Sequence, residues 1–369
     1  MDHSNRQAGH AASPHDPLAD VPESQRTNPD GDQVQAPERG GREPGTGGPL
    51  PNEWALVCKL AVKQLDRCVS LEPKVLQGYD PDAIHDLRVA TRRLQQVLVL
   101  LFPSPRSGEI RKVFRGLKRC RRSLSEVRNN DVLLERVDGA LARKRTARRD
   151  AWEAIRAYLE ESRSARLEKA LYKLTRANLS ALYVRLKECL PLKGTFRPTG
   201  GRSGPSGAAQ DLSAEELDAR ISSELRKVWG ALEEEIALSR NDPDPAILHR
   251  ARIASKRVRY LIEVLLAFGV PGSKQALIWL RNLQKHLGSW HDLVVFEETV
   301  IEMIAKPAFL SNRLEMALEI ERLVLRNRAL KADLERKYLE MTADRAGFLK
   351  TRDWVRRATE SPAAMLGGS

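Results

Sequence analysis

A histidine followed by basic residues at helical spacing occurs twice in the chain. The residues of this pattern are His85, Arg88 and Arg92 in the first copy and His249, Arg252 and Lys256 in the second. The copies are 249 minus 85, or 164, residues apart. On a helix, residues three or four apart lie on one face, about 5–6 Å from each other. Guanidinium and ammonium groups in such a row suit anionic oxygens, especially those of phosphate. Both copies therefore predict an anion-binding helix face.

The helices that carry these rows are predicted to begin at matched positions. Asp80 and Pro81 precede the first row, and Asp244 and Pro245 precede the second. Aspartate is a favoured helix N-cap and proline suits the first helical position. Apolar residues such as Leu94 recur on the opposite side of each helix. Each copy thus predicts an amphipathic helix with an apolar face turned inward.

A second pair of helices repeats the pattern of one apolar and one basic line. The basic lines are predicted to consist of Arg111, Arg115, Lys118 and Arg122, and, 163 positions later, Lys274, Arg281 and Lys285. Ile278 stands where the match of Arg115 would be, so the copy is imperfect. Arg93 and Arg257 lie about 80° from the histidine rows at 100° per residue. We include both among the candidate binding residues.

The repeated helices predict an all-α protein built as two pseudo-symmetric helical bundles from an internal duplication. Residues 1–50 are rich in Pro, Gly and acidic residues, which predicts a disordered tail. The main domain is predicted over 52–345, with halves at 52–192 and 211–345 joined by a Gly-rich flexible linker at 193–210. A C-terminal tail is predicted over 346–369. One long helix is expected from Leu310 to Lys350.

The chain resembles the CHAD family, the conserved histidine α-helical domain. The resemblance is carried by IHDLRVATRRL at 84–94, its echo LHRARIASKRV at 248–258, and two predicted turns, LSEVRNNDV at 124–132 and LGSWHDLV at 287–294. It implies two four-helix bundles whose basic faces line a central cleft that binds inorganic polyphosphate, often at polyphosphate granules. The family's usual Arg-Asp is Arg128-Asn129 here, and His291 stands at the position of Arg128 in the second half. These departures argue against ligand contact by the turns. The triphosphate-tunnel domain often fused to the family is not visible in this chain.

The distribution of charge also favours an anionic partner. The formal net charge is +13, although residues 1–50 contain four Arg and eight Asp or Glu, or 4 minus 8, a net −4. The remainder therefore carries +17, which suits polyphosphate, nucleic acid or an anionic surface. Single-strand nucleic-acid binders usually add aromatic platforms, and Tyr260 is the only aromatic residue on a histidine row. A noncatalytic polyphosphate-binding protein is the favoured interpretation, and an all-α nucleic-acid-binding protein is the alternative.

Enzyme, metal and membrane functions find little support in the sequence. We identify no Gly-rich phosphate loop, no catalytic nucleophile with a base and no cofactor motif. His85 and His249 either bind phosphate or are structural, because the neighbouring cations would repel a metal ion. His286 and His291 are interpreted as structural. The four cysteines are expected to be reduced thiols, and the lack of a long apolar run or signal pattern predicts a cytoplasmic protein without membrane association.

Overall fold

A computed structural model describes residues 52–360 apart from residues 79, 104–107, 145, 191–213, 243 and 344–345. These residues form helices and connecting turns, with no strand among them, so the predicted all-α class is confirmed. The helices are α1 (Asn52–Leu76), α2 (Pro81–Leu101), α3 (Gly108–Ser123), α4 (Ser125–Leu141), α5 (Arg149–Ala177), α6 (Leu179–Cys189), α7 (Ala214–Asn241), α8 (Pro245–Ala267), α9 (Ser273–Ile304), α10 (Pro307–Asn312), α11 (Leu314–Thr342) and α12 (Ala346–Glu360). The predicted tail at 1–50 and the predicted linker at 193–210 lie outside the described residues.

The two helices with histidine rows begin where the sequence predicts. The Asp80 carboxylate accepts hydrogen bonds from the backbone N–H groups of Asp82 and Ala83, at 2.9 and 3.1 Å. The Asp244 carboxylate accepts one from Ala246 at 2.6 Å. These bonds satisfy N–H groups that have no partner inside the helix. They fix the start of α2 and α8, and with it the direction in which each basic row points.

Several helix boundaries differ from the prediction. α9 is continuous through the turn expected at 287–294, because its apolar line continues through Leu287, Trp290 and Leu293, all buried. In the first half, by contrast, Leu124 separates α3 from α4. The helix expected over 310–350 is divided into α10, α11 and α12, with breaks at Arg313 and after Thr342. Neither break carries a proline or glycine, which are the residues that most often mark a helix end, so no local signal predicted it.

The C-terminal tail expected over 346–369 is wrong for residues 346–360, which form α12. Phe348 is buried and its ring stacks on that of Trp229, with centroids 6.1 Å apart. The Trp354 indole N–H donates to the carbonyl of Pro271 at 2.8 Å. Aromatic burial of this kind provides enough apolar contact to hold a terminal helix in place. The expected tail therefore begins no earlier than residue 361.

The two halves share their apolar cores. One cluster joins residues of α1, α2, α3 and α6 to residues of α7, α8 and α12. A second cluster joins α4 and α5 to α9 and α11, and includes the Trp152 and Phe296 rings, 5.7 Å apart. The Arg220 guanidinium of α7 also donates to the carbonyl of Leu100 in α2 at 3.1 Å. These contacts hold the basic faces of α2 and α8 in a fixed relation to each other.

Candidate functional site

Six basic side chains from four helices lie close enough to influence one another's ionisation. They are Arg88 and Arg92 of α2, Arg121 of α3, Arg128 of α4, and Arg252 and Lys256 of α8. We call these six the cationic cluster. Each member is half-buried. The charge of Arg92 lowers the pKa of four other members, two in each half of the chain. The structure thus brings the arginines of the first histidine row close to Arg252 and Lys256 of the second, an arrangement that the family resemblance implied.

Burial and like charge act in the same direction within the cationic cluster. Burial, with the charges of neighbouring arginines, lowers the pKa of Arg88 to about 9. Burial and Arg92 lower that of Arg121 to about 10, and burial lowers the pKa of Lys256 well below its ordinary value. Asp292 opposes the effect at Arg252. Both burial and like charge disfavour the charged form, so a bound anion would relieve both.

Hydrogen bonds hold Arg88 in position. Its Nη1 donates to the carbonyl of Arg121 at 2.6 Å and to the Ser125 hydroxyl at 2.8 Å. Arg88 therefore ties α2 to the junction between α3 and α4, where Leu124 interrupts the helix. In the second half, the Gln284 side-chain amide of α9 makes a corresponding link by donating to the carbonyl of Ser255 in α8 at 2.8 Å. Both links fix the spacing between a histidine-row helix and its neighbour.

Two donors in the cationic cluster are buried without a hydrogen-bond partner in the described part of the chain. They are Nη1 of Arg121 and Nε of Arg252. A buried donor that lacks an acceptor costs on the order of 1–3 kcal/mol. An anionic oxygen within hydrogen-bond distance of either group would supply the acceptor that it lacks.

A histidine pair borders the second-half part of the cationic cluster. The rings of His249 and His291 have centroids 5.0 Å apart. Burial, together with Arg252, His249 and Lys256, lowers the pKa of His291 to about 3. Burial and the charges of Arg252 and Lys256 also lower the pKa of His249. Both rings are therefore neutral at physiological pH. His85, the matched histidine of the first half, is half-buried near the start of α2.

Arg93, a candidate binding residue, takes part in a largely buried ion pair. Its Nε donates to Glu263 at 3.1 Å, and the Nε of Arg259 lies 3.6 Å from the other oxygen of the same carboxylate. All three side chains are largely buried. Arg93 thus forms an ion pair between α2 and α8, which joins the halves beside the cationic cluster.

The other candidate residues lie outside the cationic cluster. These exposed side chains are Arg111, Lys118 and Arg122 of α3, Arg257 of α8, and Lys274, Arg281 and Lys285 of α9. The periodicity had correctly assigned them to polar faces. It could not show which part of a broad polar face another helix covers.

The candidates predicted from the sequence omit two members of the cationic cluster, Arg121 and Arg128, and one residue beside it, His291. Arg121 lies one position from Arg122, about 100° around α3, and its pKa is lowered by the charge of Arg92 in α2. Arg128 and His291 belong to the segments interpreted as turns without a ligand role. They are 291 minus 128, or 163, positions apart. This is the same offset that relates the second pair of repeated helices, so the repeat could have pointed to both residues.

The remaining reactive groups are not arranged for metal or thiol chemistry in the residues that can be described. Among these, no group of three or more His, Cys, Asp or Glu side chains could hold a metal ion. All four cysteines are free thiols, and Cys189 is the one that is only half-buried. Burial raises the pKa of Cys58 to about 11 and that of Cys120 to about 12, which keeps both thiols protonated. In the same residues, no helix is long and apolar enough to cross a membrane.

Together, fold and site define an all-α protein in which two sets of helices bring basic faces into one cluster. The profile of the CHAD domain family matches residues 59–300. This is more than half of the chain, and the chain belongs to the CHAD domain family. No curated protein matches the chain.

Two solved structures are similar to the chain. The crystal structure of the CHAD domain from the plant Ricinus communis is 24% identical, with a TM-score of 0.57, and the match covers 83% of this chain and 96% of that one. PptA from Streptomyces chartreusis is 14% identical, with a TM-score of 0.48, over 83% of this chain and 100% of that one. The first of these supports the fold.

Proposed function

We propose that this protein binds inorganic polyphosphate through the cationic cluster and does so without catalysing a reaction. The main support for the proposal is the position of the cluster, because basic side chains from both halves of the chain lie together in one half-buried region. Five of the six members are arginines, whose planar fork matches phosphate oxygens. A linear phosphate chain is a dense polyanion that can contact several such groups in succession.

The chemistry of the cluster supports binding rather than turnover. Arginine at neutral pH carries its proton and has no acceptor, so it is a poor general base. The cluster is suited to hold a phosphate chain in its ground state. By the same proposal, the protein acts in the cytoplasm, where polyphosphate granules would supply the ligand.

The proposal is tested by titrating the full chain with long-chain polyphosphate at several salt concentrations. Contact with about six phosphates should give a slope of log affinity against log salt on the order of −4, using about 0.7 per contact for a single-stranded polyanion. An absence of binding, or a slope near zero, would overturn the proposal.

A further inference from the structure

A second concentration of basic side chains lies on the other side of α3. A groove with a volume of about 650 Å³ runs between α3 and the junction of α5 with α6. Its basic lining residues are Lys112, Arg115, Lys118, Arg119 and Arg122 of α3 and Arg185 of α6. We call this concavity the outer groove. From Lys112 to Arg122, ten residues at 1.5 Å each, it follows α3 for about 15 Å.

The outer groove is built by a close approach of two helices. Gly116 of α3 faces Leu182 of α6, and a side chain at Gly116 would overlap the Leu182 methyl groups. Asn178, with a left-handed backbone at φ 46°, ends α5 and begins α6. Its side-chain oxygen accepts the backbone N–H of Ala181 at 2.9 Å. The positive end of α6 therefore opens on the groove and adds to its charge.

Part of the groove's charge is not neutralised by the protein. Lys112 pairs with Glu109 at 2.5 Å, and Arg185 lies 3.9 Å from the same carboxylate. Lys118, Arg119 and Arg122 have no ion-pair partner in the residues that the structure describes. These three exposed cations leave the middle of the groove available to an anion.

The outer groove and the cationic cluster share α3 as a wall. Arg121 belongs to the cluster, while the adjacent Arg122 lines the groove. The charge of Arg122 contributes to the lowered pKa of Arg121, which shows how near the two places are. A phosphate chain that leaves the cluster across α3 would meet the groove next.

The second half does not repeat the groove. At an offset of 163, Arg281 and Lys285 match Lys118 and Arg122. The other three α3 positions are neutral in α9, where Gln275, Ile278 and Asn282 match Lys112, Arg115 and Arg119. The Ile278 side chain is 51% exposed there. The corresponding surface of α9 thus keeps two of five charges and gains an exposed apolar residue.

We propose that the outer groove is a second phosphate-chain site, and that one long chain occupies it together with the cationic cluster by crossing α3. The inference rests on the proposed function. Linking two contacts through one ligand makes the second contact intramolecular, which strengthens binding without a new kind of interaction. Triphosphate, which is too short to span both places, gains no such advantage. The groove should therefore select for chain length.

The test compares two matched pairs of substitutions by calorimetric titration of the full chain. One variant carries Lys118→Ala and Arg122→Ala in the groove, and the other carries Arg281→Ala and Lys285→Ala at the corresponding positions of α9. Each removes two exposed charges, so both should fold as wild type by circular dichroism. The groove variant should bind long-chain polyphosphate about tenfold more weakly and triphosphate as wild type does. The α9 variant should change either affinity by less than about twofold.

Three results would overturn the inference. The first is long-chain binding by the groove variant as tight as that of wild type. The second is an equal loss of affinity in the two variants. The third is a parallel loss of triphosphate and long-chain binding in the groove variant. Failure of the proposed function has a different signature. If that proposal is wrong, wild type binds neither ligand, or Arg92→Met in the cationic cluster leaves both affinities unchanged.

Discussion

The two halves of the molecule bring different kinds of basic residue to the same cluster. The first half contributes arginines only, at positions 88, 92, 121 and 128. In the second half, Lys256 matches Arg92, Gln284 matches Arg121 and His291 matches Arg128. Arginine keeps its charge across the physiological range, whereas lysine and histidine change theirs readily when buried. The first half thus supplies fixed charge only, whereas the second half combines the fixed charge of Arg252 with groups whose charge can change.

A bound anion should change the protonation of the lysine and the histidines in the second half. Without an anion, burial and the neighbouring cations lower the pKa of Lys256, His249 and His291. The neutral histidines of the second half therefore add no repulsion to the cluster. A bound polyanion would favour the protonated forms of the same groups. We expect the second half to take up protons as the ligand binds.

The largest expected effect follows from removing the charges of one half. Arg88→Met with Arg92→Met should weaken polyphosphate binding on the order of 100-fold, since each charge-assisted contact contributes about 1.5 kcal/mol or more. Arg252→Met with Lys256→Met should cause a loss of similar size. Both are measured by titration, with Arg357→Met, an exposed arginine of α12, as the control. If one pair has no effect, a single half binds the ligand.

A smaller effect concerns pH and the groups of the second half whose charge can change. Groups whose pKa is higher in the complex than in the free protein take up protons on binding, so affinity should rise as pH falls. Between pH 8 and 6 we expect a rise of about threefold to tenfold. His249→Gln with His291→Gln should flatten this trend, and His85→Gln should not. Calorimetry in buffers of different ionisation enthalpy would count the protons. Equal heats in all buffers would refute the distinction between the halves.

The smallest effect concerns the stability of the empty protein. Lys256→Met should raise the free energy of unfolding at neutral pH by about 1 kcal/mol, because it removes a desolvated cation among like charges. The pKa of Lys256 is lowered in the folded state, so its cost is present below the ordinary lysine pKa of 10.5 and shrinks as pH rises towards that value. The stabilisation should shrink in parallel. Denaturant unfolding at pH 7 and 10 measures both, and a destabilised variant would contradict the account.

The sequence predicted those features that depend on periodicity and local caps. The all-α class and the starts of α2 and α8 follow from periodicity and from the Asp-Pro caps. The approach of the two basic rows to each other was expected only from the resemblance to the CHAD family. Residues within a single helix face have a fixed geometry. That is why the histidine rows could be identified before the fold was known.

Features that depend on contacts between helices were less accessible. The polar face of α3 is wide, and only its packing against α2 and α6 separates Arg121 from Lys118 and Arg122. Arg93 donates a hydrogen bond to Glu263, 170 positions away, and no spacing within one helix could have predicted that pair. The α12 helix was interpreted as a tail because the burial of Phe348 and Trp354 depends on distant partners. Tertiary partners, rather than local propensity, decided each of these cases.

The central claim is that a cluster of basic residues from both halves binds a phosphate chain. It is tested most directly by displacing labelled single-stranded DNA of equal charge from the full-length protein with long-chain polyphosphate at physiological salt. We expect polyphosphate to displace the DNA at less than an equal concentration of charge, because the cluster offers arginine forks but few aromatic surfaces for base stacking. Retention of the DNA against excess polyphosphate would contradict the account and identify the protein as a nucleic-acid binder.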